Sequence, residues 1–476
     1  MTVRRVAMGF LFYPRGGSAQ VVRYLAGVLP DVGWEASVFC GSLGPPGTES
    51  NAKTFFAGLD VHAADFGPAL EAAERGADPL AAEMPLHPSF EDRPGAPDRV
   101  LAVVEPHLLE RQVAAWTRVL EDGRAGGVEC FHLQHLTPQY EVVARRWPGH
   151  PVVGHLHGTE LKMLDAIERG APWPHAAFWA ETMRRWAHGA TQLLVISPHD
   201  RDEAVRLLGV PADRIRCIPN GVDTDRFTAR ALPVDERLQL LRRWLVDEPR
   251  GWDEGGDPGG VRYTVADLER FVDPGTGALW PVLLFVGRFL GFKRVPLLIR
   301  AYARARSRFS SPAPLVIWGG HPGEWEGEHP VTVARGEGVA DHVFFVGWRG
   351  HDDLPWGLAC ADAMVAPSVD ESFGQVFIEA MACGVPVVTT STGGPLAFVN
   401  TEPGRPNGWL VPPDDEAALA DALVELVTQP DERRRRGRHA YEQARAGYSW
   451  RALASRFASC YEEVTAPGAA GARRAP

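Results

Sequence analysis

Residues 368–390 read SVDESFGQVFIEAMACGVPVVTT. An apolar strand ending DAMVAPS (362–368) leads into this stretch, and a second, GVPVVTT (384–390), closes it. Strands that alternate with helices imply a parallel sheet. Between the two strands, Ser372 is placed as a helix N-cap, with Gln375 three residues on as in a capping box. The helix then runs through Val376, Phe377, Ile378, Ala380, Met381 and Ala382, and Gly384 suits the position just past its end. Such a helix, apolar on nearly every side, is expected to be buried. Glu379 interrupts it, and Glu371 stands just before its first turn. A charge in that setting is costly unless something pairs with it.

The remaining chain supplies the context. Its 476 residues, 45% apolar and 23% charged, are enough for two or three domains with substantial cores. A net charge of −11 excludes a global nucleic-acid footprint and leaves only a local basic cleft. The opening MTVRRVAMGFLFYPRGG has a short apolar run without a clear cleavage site and reads as a first β-strand rather than a leader. No apolar run approaches the roughly 18–20 residues that cross a bilayer. The six cysteines are scattered without a CxxC pair, as expected of reduced thiols in a cytoplasm. Of the 49 basic residues only Lys53, Lys162 and Lys293 are lysines, which makes each of them informative.

Residues 3–13 read as a strand, followed by a glycine-rich turn and a helix from about Ser18 to Gly33. Gly16 and Gly17 could let a ligand approach the backbone at a helix start, or could form an ordinary βα turn. Strands follow at 35–40 and 59–63, then a Pro/Ala-rich and acidic surface excursion at 76–98. A helix at 108–120 precedes the strands VECFHLQH (128–135), PVVGHLHG (151–158) and TQLLVIS (191–197). Ser197, Pro198 and Gly209 mark the start and end of the next helix. Residues 226–280, containing the acidic GWDEGGDPGG, read as a mobile linker or insertion. From Pro281 a second unit begins, with strands PVLLFVG, PLVIWGG, HVFFVG and the two first quoted. The domains expected are thus 1–225, rejoined by a final helix at 446–465, and 281–445, with a disordered tail at 466–476. ERRRRGR (432–438) is read as a solvated helix face.

Two features carry chemistry. VGRFLGFKR (286–294) directly follows a strand, so Arg288 and Lys293 emerge at its mouth as two cations suited to a diphosphate. Glu371 and Glu379 stand eight residues apart, about 12 Å along a continuous helix. That is too far for an acid/base pair on one bond. It suits carboxylates holding the two ends of an extended polar ligand such as a nucleotide sugar. The amides of Phe373, Gly374, Gln375 and Val376 between them could face its diphosphate.

PNGVDTDRF (219–227), VGRFLGFKR, ESFGQVFIEAMACGVPVVTTSTGG (371–394) and NGWLVPPDD (407–415) resemble successive signatures of glycosyltransferase family four. These are retaining enzymes of the α/β GT-B fold, two Rossmann-like doubly wound domains facing across a cleft. The resemblance implies that Glu379 meets the donor ribose and Glu371 the donor sugar. It puts Arg288 and Lys293 at the diphosphate, and the Phe373–Gly374 backbone at the sugar hydroxyls. It also implies that His157 lies near the reacting face, that the Gly16–Gly17 loop borders the diphosphate and acceptor, and that the final helix crosses back to the first domain. The chain departs from the family in having Ala397 where many members carry glutamate, and in the length of its insertion.

Other features are weighed against this. His132, His135, His155 and His157 cluster in sequence and are read as pocket and core histidines rather than metal ligands. Asp223-Thr224-Asp225 is read as turn chemistry rather than a metal-binding DxD. Trp348 and Arg349 could flank the nucleotide base or lie in a surface loop. The expectation is a retaining hexosyltransferase that uses a UDP-sugar and a small hydroxyl acceptor. It needs neither cofactor nor metal, has no nucleic-acid or membrane partner, and is cytoplasmic. The alternatives are a sugar-nucleotide epimerase with the same cleft, and a non-catalytic nucleotide-sugar sensor. The acceptor and the oligomeric state are not legible in the sequence.

Overall fold

The computed structural model describes residues 3–91 and 97–467. The expected disordered tail falls almost wholly outside them. The chain forms two compact units, one running to Gly221 and resuming at Trp450, the other spanning Val222–Ser449.

In the first unit, seven parallel strands lie in the order β3-β2-β1-β4-β5-β6-β7. They are β1 Arg4–Phe10, β2 Trp34–Ser42, β3 Asp60–Asp65, β4 Cys130–Gln134, β5 Val152–His155, β6 Gln192–Val195 and β7 Ile215–Cys217. In the second, six parallel strands are ordered β10-β9-β8-β11-β12-β13. These are β8 Leu283–Val286, β9 Leu315–Trp318, β10 Val343–Gly347, β11 Ala363–Val365, β12 Val387–Thr390 and β13 Gly408–Val411. Every residue of β4, β9, β10, β11 and β12 is buried. Helices cover both faces of such sheets, so their strands read as continuous apolar runs.

Local signals explain the ends. Ser197 accepts the Asp200 amide at 3.1 Å, and Gly209, in the left-handed region, closes that helix. The first helix starts at Gly16, two residues earlier than expected, and ends at Val28. A single 3₁₀ turn then leads to Gly33 at φ +81. The final helix, Trp450–Thr465, packs into the first unit, where the Tyr461 ring lies 5.0 Å from Trp34.

Two segments differ from expectation. Residues 226–280, expected as a mobile linker, are built into the second unit with Trp244, Leu245, Trp252 and Phe271 buried. Their physical task is to cover a sheet edge, which would otherwise expose unpaired backbone groups. The Tyr263 hydroxyl accepts the Phe345 amide at 2.8 Å, and Trp252 Nε1 donates to Gly320 O at 3.0 Å. The backbone passes so close to β10 that a Cβ on Gly251 would stand 2.4 Å from Phe345 O. The excursion at 76–98 is likewise not peripheral. Leu86, His87 and Phe90 are buried, and Phe90 stacks on His135 with centroids 5.6 Å apart.

Candidate functional site

Strand order reverses in each sheet at one place, β1/β4 in the first and β8/β11 in the second. Ligands in doubly wound folds bind in the crevice outside the strand ends at such switch points.

In the second unit the loop after β8 carries three cations with different partners. Arg294, held at φ +53, grips Asp414 through Nε at 2.5 Å and Nη2 at 3.1 Å. The pairing raises the Arg294 pKa and lowers that of Asp414, and it commits this arginine to holding the loop. Arg288, about 41% exposed, meets Glu324 Oε1 at 3.2 Å. Lys293 Nζ lies 2.5 Å from Glu371 Oε2, with both side chains largely buried. The loop after β11 is tied to this one by the Val369 amide, which donates to Phe292 O at 2.8 Å. Just beyond, Asp370 sits at φ +55. A non-glycine residue there costs about 1–3 kcal/mol and persists only where its surroundings impose it.

Gly393 and Gly394 supply part of that constraint. The Gly394 amide donates to Glu371 O at 2.6 Å, and a Cβ on Gly394 would stand 2.2 Å from Ser372 O. Only glycine lets the two backbones approach so closely, so the pair clasps Glu371–Phe373 from behind. The expected Ser372 cap is not formed. The helix begins at Gln375 and is preceded by Gly374 at φ +85, ψ +61, with no side-chain cap. The clasp holds Ser372 and Phe373 ahead of the first turn, where the serine cannot reach the cap position. The first amides of a helix lack intrahelical acceptors, and the cap residue here, Gly374, has no side chain to offer them one.

Glu379 is buried at 5% exposure, and its partner is His351, whose Nε2 lies 3.0 Å from Oε1. Sequence reasoning did not name His351. The signal was indirect: a carboxylate on an apolar helix requires a partner, but nothing in the spacing says which residue supplies it. Trp348 is exposed, whereas Arg349 is not available to a nucleotide base. Arg349 is 4% exposed and donates through Nη2 to Trp244 O at 3.0 Å and to Glu248 O, tying down the 226–280 segment. Burial lowers its pKa to about 10.

In the first unit the loops after β1, β4 and β5 converge on the other switch point. Gly16 has φ +68, and a Cβ on Gly16 or Gly17 would meet nothing within 4 Å, so the backbone there faces open space. His157 Nε2 donates to Gln134 Oε1 at 2.8 Å. Burial, chiefly, and the neighbouring imidazoles hold the His157 pKa well below the usual histidine range. The ring is therefore neutral. Glu160, fully buried, accepts the His157 amide at 3.2 Å through Oε1, and its Oε2 lies 3.2 Å from His135 Nδ1. His132 Nδ1 meets the Tyr461 hydroxyl at 2.7 Å and His132 Nε2 lies 3.3 Å from His155 Nδ1. Burial pushes His132 down to about 3 and His155 well below its ordinary range. Asp200 is also buried, its Oδ2 without a partner among the described residues, and burial pushes it up to about 7.

Among the described residues, no group of three His, Cys, Asp or Glu side chains converges to hold a metal ion. Asp223 Oδ1 accepts the amides of Asp225 and Arg226 at 3.0 and 3.1 Å, an Asx turn. Nor is any described helix long and apolar enough to cross a membrane.

This arrangement matches known proteins along most of its length. Residues 15–226 match the family described as Glycosyltransferase Family 4, and residues 280–429 match Glycosyl transferases group 1. A D-inositol 3-phosphate glycosyltransferase from Frankia alni is 30% identical over 69% of this chain and 72% of its own length. Among solved structures, sucrose-phosphate synthase from Thermosynechococcus elongatus superposes with a TM-score of 0.65 at 20% identity, covering 97% of this chain and 99% of that one. Anabaena Alr3699/HepE in complex with UDP-glucose gives 0.62 at 16% identity, covering 96% and 98%. With two Rossmann-like sheets, paired switch-point loops and these relatives, the chain belongs to the group 1, family 4 glycosyltransferases of the GT-B fold.

Proposed function

We propose that this glycosyltransferase moves a hexosyl group from a UDP-sugar to a hydroxyl of a small polar acceptor, with retention and without a metal. The observation that carries the reading is the charge arrangement at the β8/β11 crevice. Among the described residues Arg294 is held by Asp414, while Arg288 and Lys293 each pair with one carboxylate, Glu324 and Glu371, near a helix start whose cap residue is Gly374. A diphosphate would draw both cations and the helix amides to itself. Glu371 would then turn to the transferred sugar, and Glu379 would accept from the ribose. The HepE complex holds UDP-glucose, which favours uridine. The name of the Frankia relative points to a phosphorylated cyclitol, a small polar acceptor.

In the proposed chemistry the bond from the anomeric carbon to the diphosphate oxygen breaks, and the acceptor oxygen bonds to the same face. The acceptor proton passes to a departing phosphate oxygen. Arg288 and Lys293 stabilise the charge that develops on the diphosphate, an effect worth about 10²–10³ in rate for one well-placed donor.

The test is a thermal-shift screen of UDP-, GDP- and ADP-sugars, followed by mass spectrometry of products with an acceptor panel that includes inositol phosphates, with and without EDTA. Transfer from a UDP-sugar that survives EDTA supports the reading. Loss of transfer in EDTA would overturn metal independence. An epimer formed from donor alone would make the protein an epimerase, and tight binding without turnover would make it a sensor.

A further inference from the structure

We propose that His351 is a positioning residue that holds the Glu379 carboxylate in the orientation needed to bind the donor nucleoside. The inference rests on the reading of Glu379 as a donor-side carboxylate and adds the group that aims it. His351 lies in the loop after β10, Glu379 in the middle of the helix Gln375–Ala382, and the two meet at 3.0 Å from Nε2 to Oε1. The ring is backed by Phe227, with centroids 5.1 Å apart. His351 Nδ1 is buried and has no partner among the described residues.

A carboxylate oxygen can only accept, so His351 donates through Nε2–H to Oε1. A carboxylate offers acceptor sites on two oxygens. With Oε1 engaged, Oε2 is left to accept from a ligand hydroxyl. The rotamer of Glu379 is fixed on one side by the helix and on the other by this single bond. Without it a lone carboxylate on an apolar helix would swing toward water.

The test compares wild type, H351A, H351Q, H351N and E379A by calorimetric binding of UDP, steady-state donor kinetics and thermal melting. A glutamine amide reaches the position of Nε2, while an asparagine amide reaches only that of Nδ1. H351A is expected to weaken UDP binding and raise donor KM about tenfold, the worth of one hydrogen bond to a charged group, with kcat little changed. H351Q should restore most of this loss and H351N none. Because glutamine keeps the polar contact, H351Q remains informative if H351A melts early. Wild-type UDP affinity in H351A, or equal rescue by H351N and H351Q in step with melting temperature, would overturn the proposal. If E379A leaves UDP binding unchanged, the donor-side reading of Glu379 fails instead. Weak binding in E379A with normal binding in H351A sinks the positioning role alone.

Discussion

The two switch-point sites are built from opposite physics. In the first unit, His132, His155 and His157 are buried and neutral, and the carboxyl of Asp200 is pushed toward its neutral form; burial sets all four. In the second, basic and acidic side chains pair directly, Arg288 with Glu324 where solvent reaches both and Lys293 with Glu371 where both are largely buried. A desolvated imidazole is a proton acceptor with no charge of its own to repel or attract a ligand. A cation already paired to a carboxylate is an exchangeable site that an anion can enter by displacing the carboxylate. The first arrangement suits holding hydroxyls and the second suits holding phosphates.

The largest expected consequence is a difference in acid sensitivity. Unfolded histidines titrate near 6.5. The folded forms of His132, His155 and His157 stay neutral far below that, so their contribution is complete above about 6.5 and is lost as pH falls from there toward the folded values. Asp200 opposes this by one proton, because between about 4 and 7 it is protonated when folded and ionised when unfolded. Three protons gained less one leaves two, or about 2.7 kcal/mol per pH unit around pH 5.5. Hydrogen exchange between pH 7 and 5 should show protection in β4 and β5 collapsing while β8 and β12 hold. Parallel loss in both units would break the contrast.

Next in size is the loss of a phosphate cation. R288A should lower kcat/KM by about 10²–10³ and leave the melting temperature nearly unchanged, since its ion pair with Glu324 is exposed. K293A should lose as much activity and also stability, because it strands the largely buried Glu371. Steady-state kinetics with a UDP-sugar, set beside thermal melts, separate the two. Near-normal turnover in R288A would remove that arginine from the diphosphate.

What the sequence disclosed divides along the same line. Continuous apolar strands, the Ser197 cap and the glycine-flanked loops were legible because each is a local rule, and they led to the two sheets. Arg288, Lys293, Glu371 and Glu379 were legible as residues, and the structure brings Lys293 and Glu371 into contact. Two of their partners were not, because Glu324 reaches Arg288 and His351 reaches Glu379 across gaps of 36 and 28 residues that no periodicity encodes. The Ser372 cap failed for a similar reason: Gly394, a distant clasp, overrides the local capping preference. Arg349 failed because the 226–280 segment, read as mobile from its glycines and acids, is anchored by tryptophans and buries that side chain.

A smaller effect sharpens the first unit's side. The Asp200 penalty is absent near pH 4, grows as pH rises through about 7 and is complete above it. D200N removes the ionisable group, so its stability relative to wild type should rise with pH, by on the order of 2–3 kcal/mol between pH 5 and 8. Urea unfolding at the two pH values measures this. A pH-independent difference would mean that Asp200 is ionised in the folded state throughout.

The smallest effect tests whether the second unit's ion pairs are exchangeable. Glu324 competes with an incoming phosphate for Arg288, but both side chains are about 40% exposed, so the pair contributes little to stability. Its competition with the donor should be equally modest, no more than about 1 kcal/mol. E324Q is therefore expected to keep the wild-type melting temperature and to lower donor KM about two- to fivefold at low ionic strength. Salt screens exposed charges over about 8 Å at 0.15 M, so the advantage should shrink as salt is added. Measured donor KM against salt for wild type and E324Q should converge. A KM that rises in E324Q would mean instead that the carboxylate holds Arg288 in place for the phosphate, and that the pair is an orienting contact rather than an exchangeable one.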